Sequence, residues 1–174
     1  MKRILLIAFF LVTIPFTACK NEKPLPEVSK DFCAEATIHQ KNVISDDYIL
    51  KAEISVEKAA KVEIDVFYPE DLSGLSYVWN EEGFEMVYDD LHCKSESDYL
   101  PEFTFSRTIY NVIRSVYSNP QGEYTENGDV LFTGNCESGD FELLTDCEGN
   151  LKNISVKEIN FSADFKQINT DDKK

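Results

Sequence analysis

The side chains with the most chemistry to offer are the five cysteines of this 174-residue chain. Cys33, Cys93, Cys136 and Cys147 form an even set behind an apolar leader, the usage of an exported chain with two disulfides. Four cysteines allow three connectivities, and the alternative is four reduced thiols. If Cys136 stands opposite Phe141 in a hairpin, Cys147 lies about 20 Å up the second strand, at about 3.3 Å per residue. A disulfide needs α-carbons within about 7 Å. The expected pairings are therefore 33–136 with 93–147, or 33–147 with 93–136. No Cys-x-x-Cys spacing is present, so a zinc knuckle and a thioredoxin-like site are not supported.

Other reactive residues lack the company their chemistry needs. Ser55-Val56-Glu57-Lys58 matches the Ser-x-x-Lys of penicillin-binding enzymes, whose serine must start a helix. Here the serine lies on a strand leading into a turn, and the companion Ser-Asp-Asn and Lys-Thr-Gly motifs are missing. His39 and His92 are far apart and have no partner at metal-ligand spacing. Asp46-Asp47, Glu81-Glu82 and Asp89-Asp90 lack the spaced oxygen ligands of a calcium loop. No catalytic residue, metal or cofactor is assigned, and the chain does not read as an enzyme.

Cys19 is a different case. Lys2 and Arg3 precede the thirteen-residue apolar run Ile4 to Phe16, shorter than the roughly 20 residues a membrane-spanning helix needs. This is the layout of a secretory leader. Phe16-Thr17-Ala18-Cys19 at its end resembles the bacterial lipobox. The resemblance implies that residues 1–18 are a lipoprotein signal peptide and that acylated Cys19 becomes the N-terminus. Two or more acyl chains, at about 0.8 kcal/mol per buried CH₂, anchor stably where one is marginal. The expected location is a cell membrane, lipid-anchored and facing the extracytoplasmic side. Loss of Lys2 and Arg3 leaves fifteen basic against 32 acidic residues, a formal charge of −17. Such a surface repels nucleic acid, which is excluded as a partner.

The elements that would position a site follow in order. Polar residues 19–30, with Pro24 and Pro26, read as a tether. A single domain spans 31–168, and 169–174 read as a frayed tail. Phe32 to Ile38 alternates as a half-buried strand. Tyr48 to Val56 and Val62 to Tyr68 do so more strictly. Face matching pairs Val56 with Val62 and Ile54 with Ile64 across the loop 58–60, which lacks the usual Gly or Asn. After the Pro69–Gly74 break, Leu75, Tyr77 and Trp79 face Tyr88, Met86 and Phe84 across the loop 80–83. Residues 89–98 read as a polar connection. Phe105 to Ser118 carries the helical repeat, with Arg107, Asn111, Arg114 and Ser115 on the polar side and Asn119-Pro120 as its stop. Strands 130–136 and 141–147 follow, then a strand from 152 whose alternation shifts phase near Lys157-Glu158, as a bulge would produce. The fold class is α+β, mainly antiparallel β, with one principal helix.

This order, with Tyr68-Pro69-Glu70-Asp71-Leu72-Ser73-Gly74-Leu75-Ser76-Tyr77, Tyr88-Asp89-Asp90-Leu91, Leu100-Pro101 and Gly134 with Phe141-Glu142-Leu143, is similar to the LolA/LolB-like lipoproteins. The resemblance implies a curved, incomplete barrel-like sheet with the helix on its concave face. It also implies binding of a lipid or other amphipathic molecule. Tyr77, Trp79, Phe84, Met86 and Tyr88, with Ile109, Val112, Ile113 and Val116, would line that site as a group. The plainer reading of the same residues is ordinary core under a helix. In that case the chain is an extracytoplasmic interaction or sensor module with a packed interior and a membrane-protein partner.

Overall fold

The computed structural model describes residues 24–41, 48–95 and 104–168. The expected signal peptide, Cys19, the first part of the tether and the tail 169–174 lie outside them. Eleven strands make one antiparallel sheet. They are β1 Phe32–Gln40, β2 Tyr48–Glu57, β3 Lys61–Tyr68, β4 Ser76–Asn80, β5 Gly83–Tyr88, β6 Leu91–Ser95, β7 Gly122–Tyr124, β8 Val130–Cys136, β9 Gly139–Thr145, β10 Leu151–Val156 and β11 Phe161–Gln167. The order across the sheet is β6-β5-β4-β3-β2-β1-β11-β10-β9-β8-β7, so the sheet stays open, with β6 and β7 as edges. Among the described residues one α-helix, α1 Phe105–Ser118, lies between β6 and β7 in sequence.

The sheet has to curl. α1 packs on both β4 and β8, which are seven strand spacings apart. Laid flat, those strands would be about 34 Å from each other at about 4.8 Å per spacing, whereas a helix is about 10–12 Å across. Only a sheet wrapped around the helix brings both within reach. The fold is thus a curved, incomplete barrel with α1 on the concave face.

Alternation decides which faces turn inward. Ala34, Ala36 and Ile38 of β1, Leu50, Ala52, Ile54 and Val56 of β2, and Val62, Ile64 and Val66 of β3 are all buried. The β2–β3 register is the expected one, with Val56 opposite Val62, Ile54 opposite Ile64 and Glu57 opposite Lys61. The missing glycine is replaced by strain: Lys58 and Ala59 adopt left-handed backbone, at φ 52° and 57°. Neighbouring chain holds them there, as Lys58 N–H donates to Asp31 Oδ1 (2.8 Å) and Ala59 N–H to the Lys30 carbonyl (2.9 Å). In β4–β5, Tyr77 pairs with Met86 and Trp79 with Phe84, also as expected.

Elsewhere the structure departs from expectation. Leu91–Ser95, expected as connection, forms edge strand β6, and three-residue β7 had no signal at all. The phase shift after Val156 is a turn rather than a bulge: Lys157–Ile159 make one 3-10 turn, Asn160 is left-handed (φ 48°), and Val156 pairs with Phe161. A bulge and a tight turn leave the same mark on the alternation, so the pattern could not separate them. The β8–β9 turn is two residues shorter in register than assumed, with Cys136 opposite Gly139 and Gly134 opposite Phe141. The tether also ends early. Residues 24–30 lie against the domain as a strap, with Val28 buried at 8% exposure.

Candidate functional site

α1 is held across the concave face at its N-terminal half by polar contacts. Arg107, expected on the solvent side, is buried, and its Nε and Nη2 donate to Glu137 Oε2 at 3.1 and 2.7 Å. Asn111 Nδ2 adds a third bond to that oxygen at 3.2 Å. Thr108 and Ser138, both buried, share a hydroxyl–hydroxyl bond of 3.0 Å. The β8–β9 turn therefore grips the helix through Glu137 and Ser138. Helical periodicity could not reveal this, because the partners sit 30 residues away.

Of the nine expected ligand-lining residues, eight pack in one cluster and Tyr88 stands outside it. Tyr77 meets Phe105 edge-on at 5.4 Å, and Trp79 stacks on Tyr110 at 5.3 Å and tilts against Phe84 at 5.0 Å. Trp79, Phe84, Ile109, Val112, Ile113 and Val116 are all at most 4% exposed. They touch one another as core. Tyr77, Met86 and Tyr88 remain partly accessible, and Tyr88 donates weakly to the Asp71 carbonyl at 3.4 Å. Burial, and then Tyr48 beside it, pushes the Tyr77 hydroxyl above the ordinary tyrosine value, so this end of the group is uncharged at physiological pH.

A second, mainly apolar opening lies at the other end of the helix. The strap, the C-terminal turn of α1 and β8 enclose a recess of about 200 Å³ whose walls include Leu25, Val28, Val116, Tyr117 and Phe132. Besides the Ala59 N–H on the Lys30 carbonyl, three hydrogen bonds seat the strap. Ser29 N–H donates to the Gly149 carbonyl (3.1 Å), Tyr124 donates to the Pro24 carbonyl (3.0 Å), and Tyr117 donates to the Ser29 carbonyl. Burial, with Asp31 adding to it, pushes the Tyr117 hydroxyl up, so it stays a donor. Of the residues around this recess, the sequence had singled out only Val116 as a lining residue. Leu25 and Val28, two apolar residues amid polar ones ahead of the first strand, were the signal available.

The turn under the strap is itself built by one carboxylate. Asp146 accepts from the backbone N–H of Glu148 (2.8 Å) and Asn150 (2.9 Å) and from Asn150 Nδ2 (2.8 Å). Burial alone would raise its pKa, but these bonds together hold it below the ordinary aspartate value. A depressed carboxyl stabilises the fold above its unfolded value, near 4, and loses that contribution as pH falls through the lower folded one. Acidification from pH 7 to pH 3 is expected to loosen turn 146–150 and the strap together, and Asp146→Asn should flatten that dependence. Amide exchange at Ser29, followed against pH in both proteins, measures it.

The cysteines do not form the expected bridges. Cys93, Cys136 and Cys147 are free thiols, which leaves neither pairing in place. For Cys33 and Cys136 the reason is the pleat. Cys33 alternates with buried Ala34 and lies on the outer face, where Ser55 Oγ donates to its sulfur at 3.6 Å. Cys136 shares the inner face with buried Val130 and Phe132 and packs against the core, where burial raises its thiol pKa. Among the described residues, no group of three His, Cys, Asp or Glu side chains could hold a metal ion. No described helix is long and apolar enough to cross a membrane.

An open, strongly curved antiparallel sheet wrapped around one helix defines the class of this protein. No family model matches the chain, and no curated protein matches it. Solved structures overlay on it in part, among them the following two. An uncharacterized conserved protein from Thermus thermophilus does so at a TM-score of 0.43 and 14% identity, over 79% of this chain and 80% of that one. A LolA superfamily protein from Nitrosomonas europaea does so at a TM-score of 0.43 and 6% identity, over 83% and 86%. Overlap at this level carries no argument about function.

Proposed function

We propose that this chain is a lipoprotein, anchored through acylated Cys19 to the extracytoplasmic side of a cell membrane, which holds part of a lipid or other amphipathic molecule near that membrane. The observation that carries the reading is the recess of about 200 Å³ between the strap and α1. An apolar cavity of about 150 Å³ stays dry and takes up benzene, so this one is sized for part of an acyl chain. It lies beneath the segment that runs back toward Cys19. From Cys19 to Pro24 the chain spans at most about 17 Å, which keeps the recess close to whatever surface holds the anchor. A tethered domain of this kind receives, holds or senses a molecule locally.

The anchor is tested by growing cells with an alkyne analogue of palmitate and fractionating them. The full chain is expected to take up the label and sediment with membranes. Cys19→Ala should lose both, and a labelled or membrane-bound Cys19→Ala protein would sink the proposal. The ligand is tested by native mass spectrometry of the detergent-extracted full chain. Bound lipid is expected, with occupancy lowered about five-fold in Leu25→Glu, which puts a charge on the rim of the recess.

A second reading has its own support. The close packing of Trp79, Phe84 and the apolar face of α1 leaves no room among them for a guest. If the anchor is confirmed and no lipid co-purifies, an extracytoplasmic interaction or sensor module for a membrane-protein partner becomes the better account.

A further inference from the structure

Among the described residues, the exposed large apolar side chains are Leu25 of the strap and four others, Ile49, Phe67, Tyr68 and Leu91. Leu91 is 73% exposed, and the other three are between 42% and 50%. These four stand at one end of the barrel, where β2 begins, β3 leaves for β4, and β5 turns into β6. Contacts join them into one face. Tyr68 pairs with Lys51, two positions from Ile49, and the Lys51 ammonium lies 5.8 Å from the Tyr68 ring centroid. After Pro69 the chain makes the 3-10 turn Glu70–Leu72, whose Asp71 carbonyl accepts from the Tyr88 hydroxyl. Tyr88 pairs in turn with Leu91.

The charge on this face is one-sided. Glu70, Asp71, Asp89 and Asp90 are exposed between those apolar groups, and among the described residues none of them has an ion-pair partner. Lys51 offsets one charge of the four. His92 and Lys94 of β6 are both turned to Glu85, at 3.3 and 2.9 Å. The position of the face narrows what can cover it. β2 starts here at Tyr48 and ends at Glu57, about 30 Å away at about 3.3 Å per residue. At that far end Ala59 N–H holds the Lys30 carbonyl of the strap. An anchor at Cys19 therefore leaves this face looking away from its membrane, and the carboxylates repel anionic headgroups.

We infer that this face docks a cationic amphipathic segment of a partner protein. Its apolar side chains lie against Leu91, Tyr88, Tyr68 and Phe67, and its Lys or Arg side chains meet the carboxylates at 70–71 and 89–90. Exposed apolar surface rimmed by charged groups marks such sites. The complementary charge speeds encounter and rejects acidic partners. No residue of the face lines the strap recess, so the inference stands whether or not a lipid is held there.

The probe is a labelled amphipathic peptide of about fourteen residues, leucine on one helical face and lysine on the other. A leucine/glutamate peptide of the same pattern is the control. The full chain is held in phosphatidylcholine nanodiscs, with empty discs as background, and anisotropy is read. Saturable binding above background is expected for the lysine peptide alone, and salt should weaken it. Leu91→Ser should weaken it about ten-fold. Asp89→Asn with Asp90→Asn should weaken it about three-fold at low salt. Asparagine suits the left-handed backbone at residue 89 (φ 51°), so the turn is kept. The inference is overturned if the lysine peptide does not saturate, if the glutamate peptide binds as well, or if neither variant weakens binding. Self-association that Leu91→Ser dissolves would assign the face to a second copy. Vesicle binding of the Cys19→Ala chain that Leu91→Ser abolishes would assign it to a membrane. Either result overturns the inference too.

Discussion

Gly149→Ala is expected to strip the strap of residues 24–30 from the domain while leaving the barrel folded. Gly149 has φ +89°, where a side chain is strained, and a β-carbon there would overlap the carbonyl oxygen of Glu27 in the strap. Left-handed strain costs about 1–2 kcal/mol, and a backbone atom cannot swing aside as a side chain would. Against this the strap offers four hydrogen bonds, at about 1 kcal/mol each, and one buried valine, at about 1.5–2 kcal/mol. Ordering seven residues costs an amount of the same size, at about 1 kcal/mol or more apiece. The net docking energy is therefore small, and the overlap with the Glu27 carbonyl oxygen exceeds it. The expected result is loss of exchange protection at Ser29, new tryptic cleavage at Lys30, and a melting temperature lower by only a few degrees. Undisturbed protection at Ser29 would show that the strap is not seated as described. If Cys19 carries the proposed anchor, release would raise the greatest reach between it and the domain from about 17 Å over five residues to about 42 Å over twelve. It would also unroof the recess.

Trp79→Ala carries the largest expected loss of stability. The indole fills the space between Tyr110 and Phe84 at centroid distances of 5.3 and 5.0 Å. Removing a buried aromatic costs about 3–5 kcal/mol, a large part of the 5–15 kcal/mol typical of a domain. Urea denaturation followed by far-UV circular dichroism measures it, since the variant has no tryptophan signal. The value also separates two accounts of the aromatic hairpin. A packed core gives about 3 kcal/mol or more, whereas a wall of an open ligand cavity gives little, because solvent or ligand already stands on one side of it. A loss below about 1 kcal/mol would return these residues to the role of a ligand lining.

Several elements were legible for a physical reason. The β2–β3 hairpin could be registered residue by residue because one face of each strand is fully buried, and a slip of one position would expose it. α1 could be bounded at Phe105 and Ser118 because its apolar repeat has period 3.6 and Asn119-Pro120 cannot continue it. β6 escaped because four of its five residues are exposed, so burial never imposed an alternation on it. β7, at three residues, is too short to show one. Arg107 was misplaced because periodicity reports only which way a side chain leaves the helix. Whether solvent or Glu137 awaits it there depends on a turn thirty residues on.

The candidate sites divide in the same way. Sequence alone determined the β-rich class, the strict inner faces of β1 to β3, the principal helix, and the grouping of Tyr77, Trp79 and Phe84 with Met86. These rest on short-range patterns that a one-dimensional string records in full. Only the tertiary structure decided that the tether docks as a strap and that Gly149 must be bare beneath it. Each of those depends on surfaces brought together by the curl of the sheet. That curl follows from one helix touching strands seven spacings apart, a relation between distant segments that no local pattern in the chain encodes.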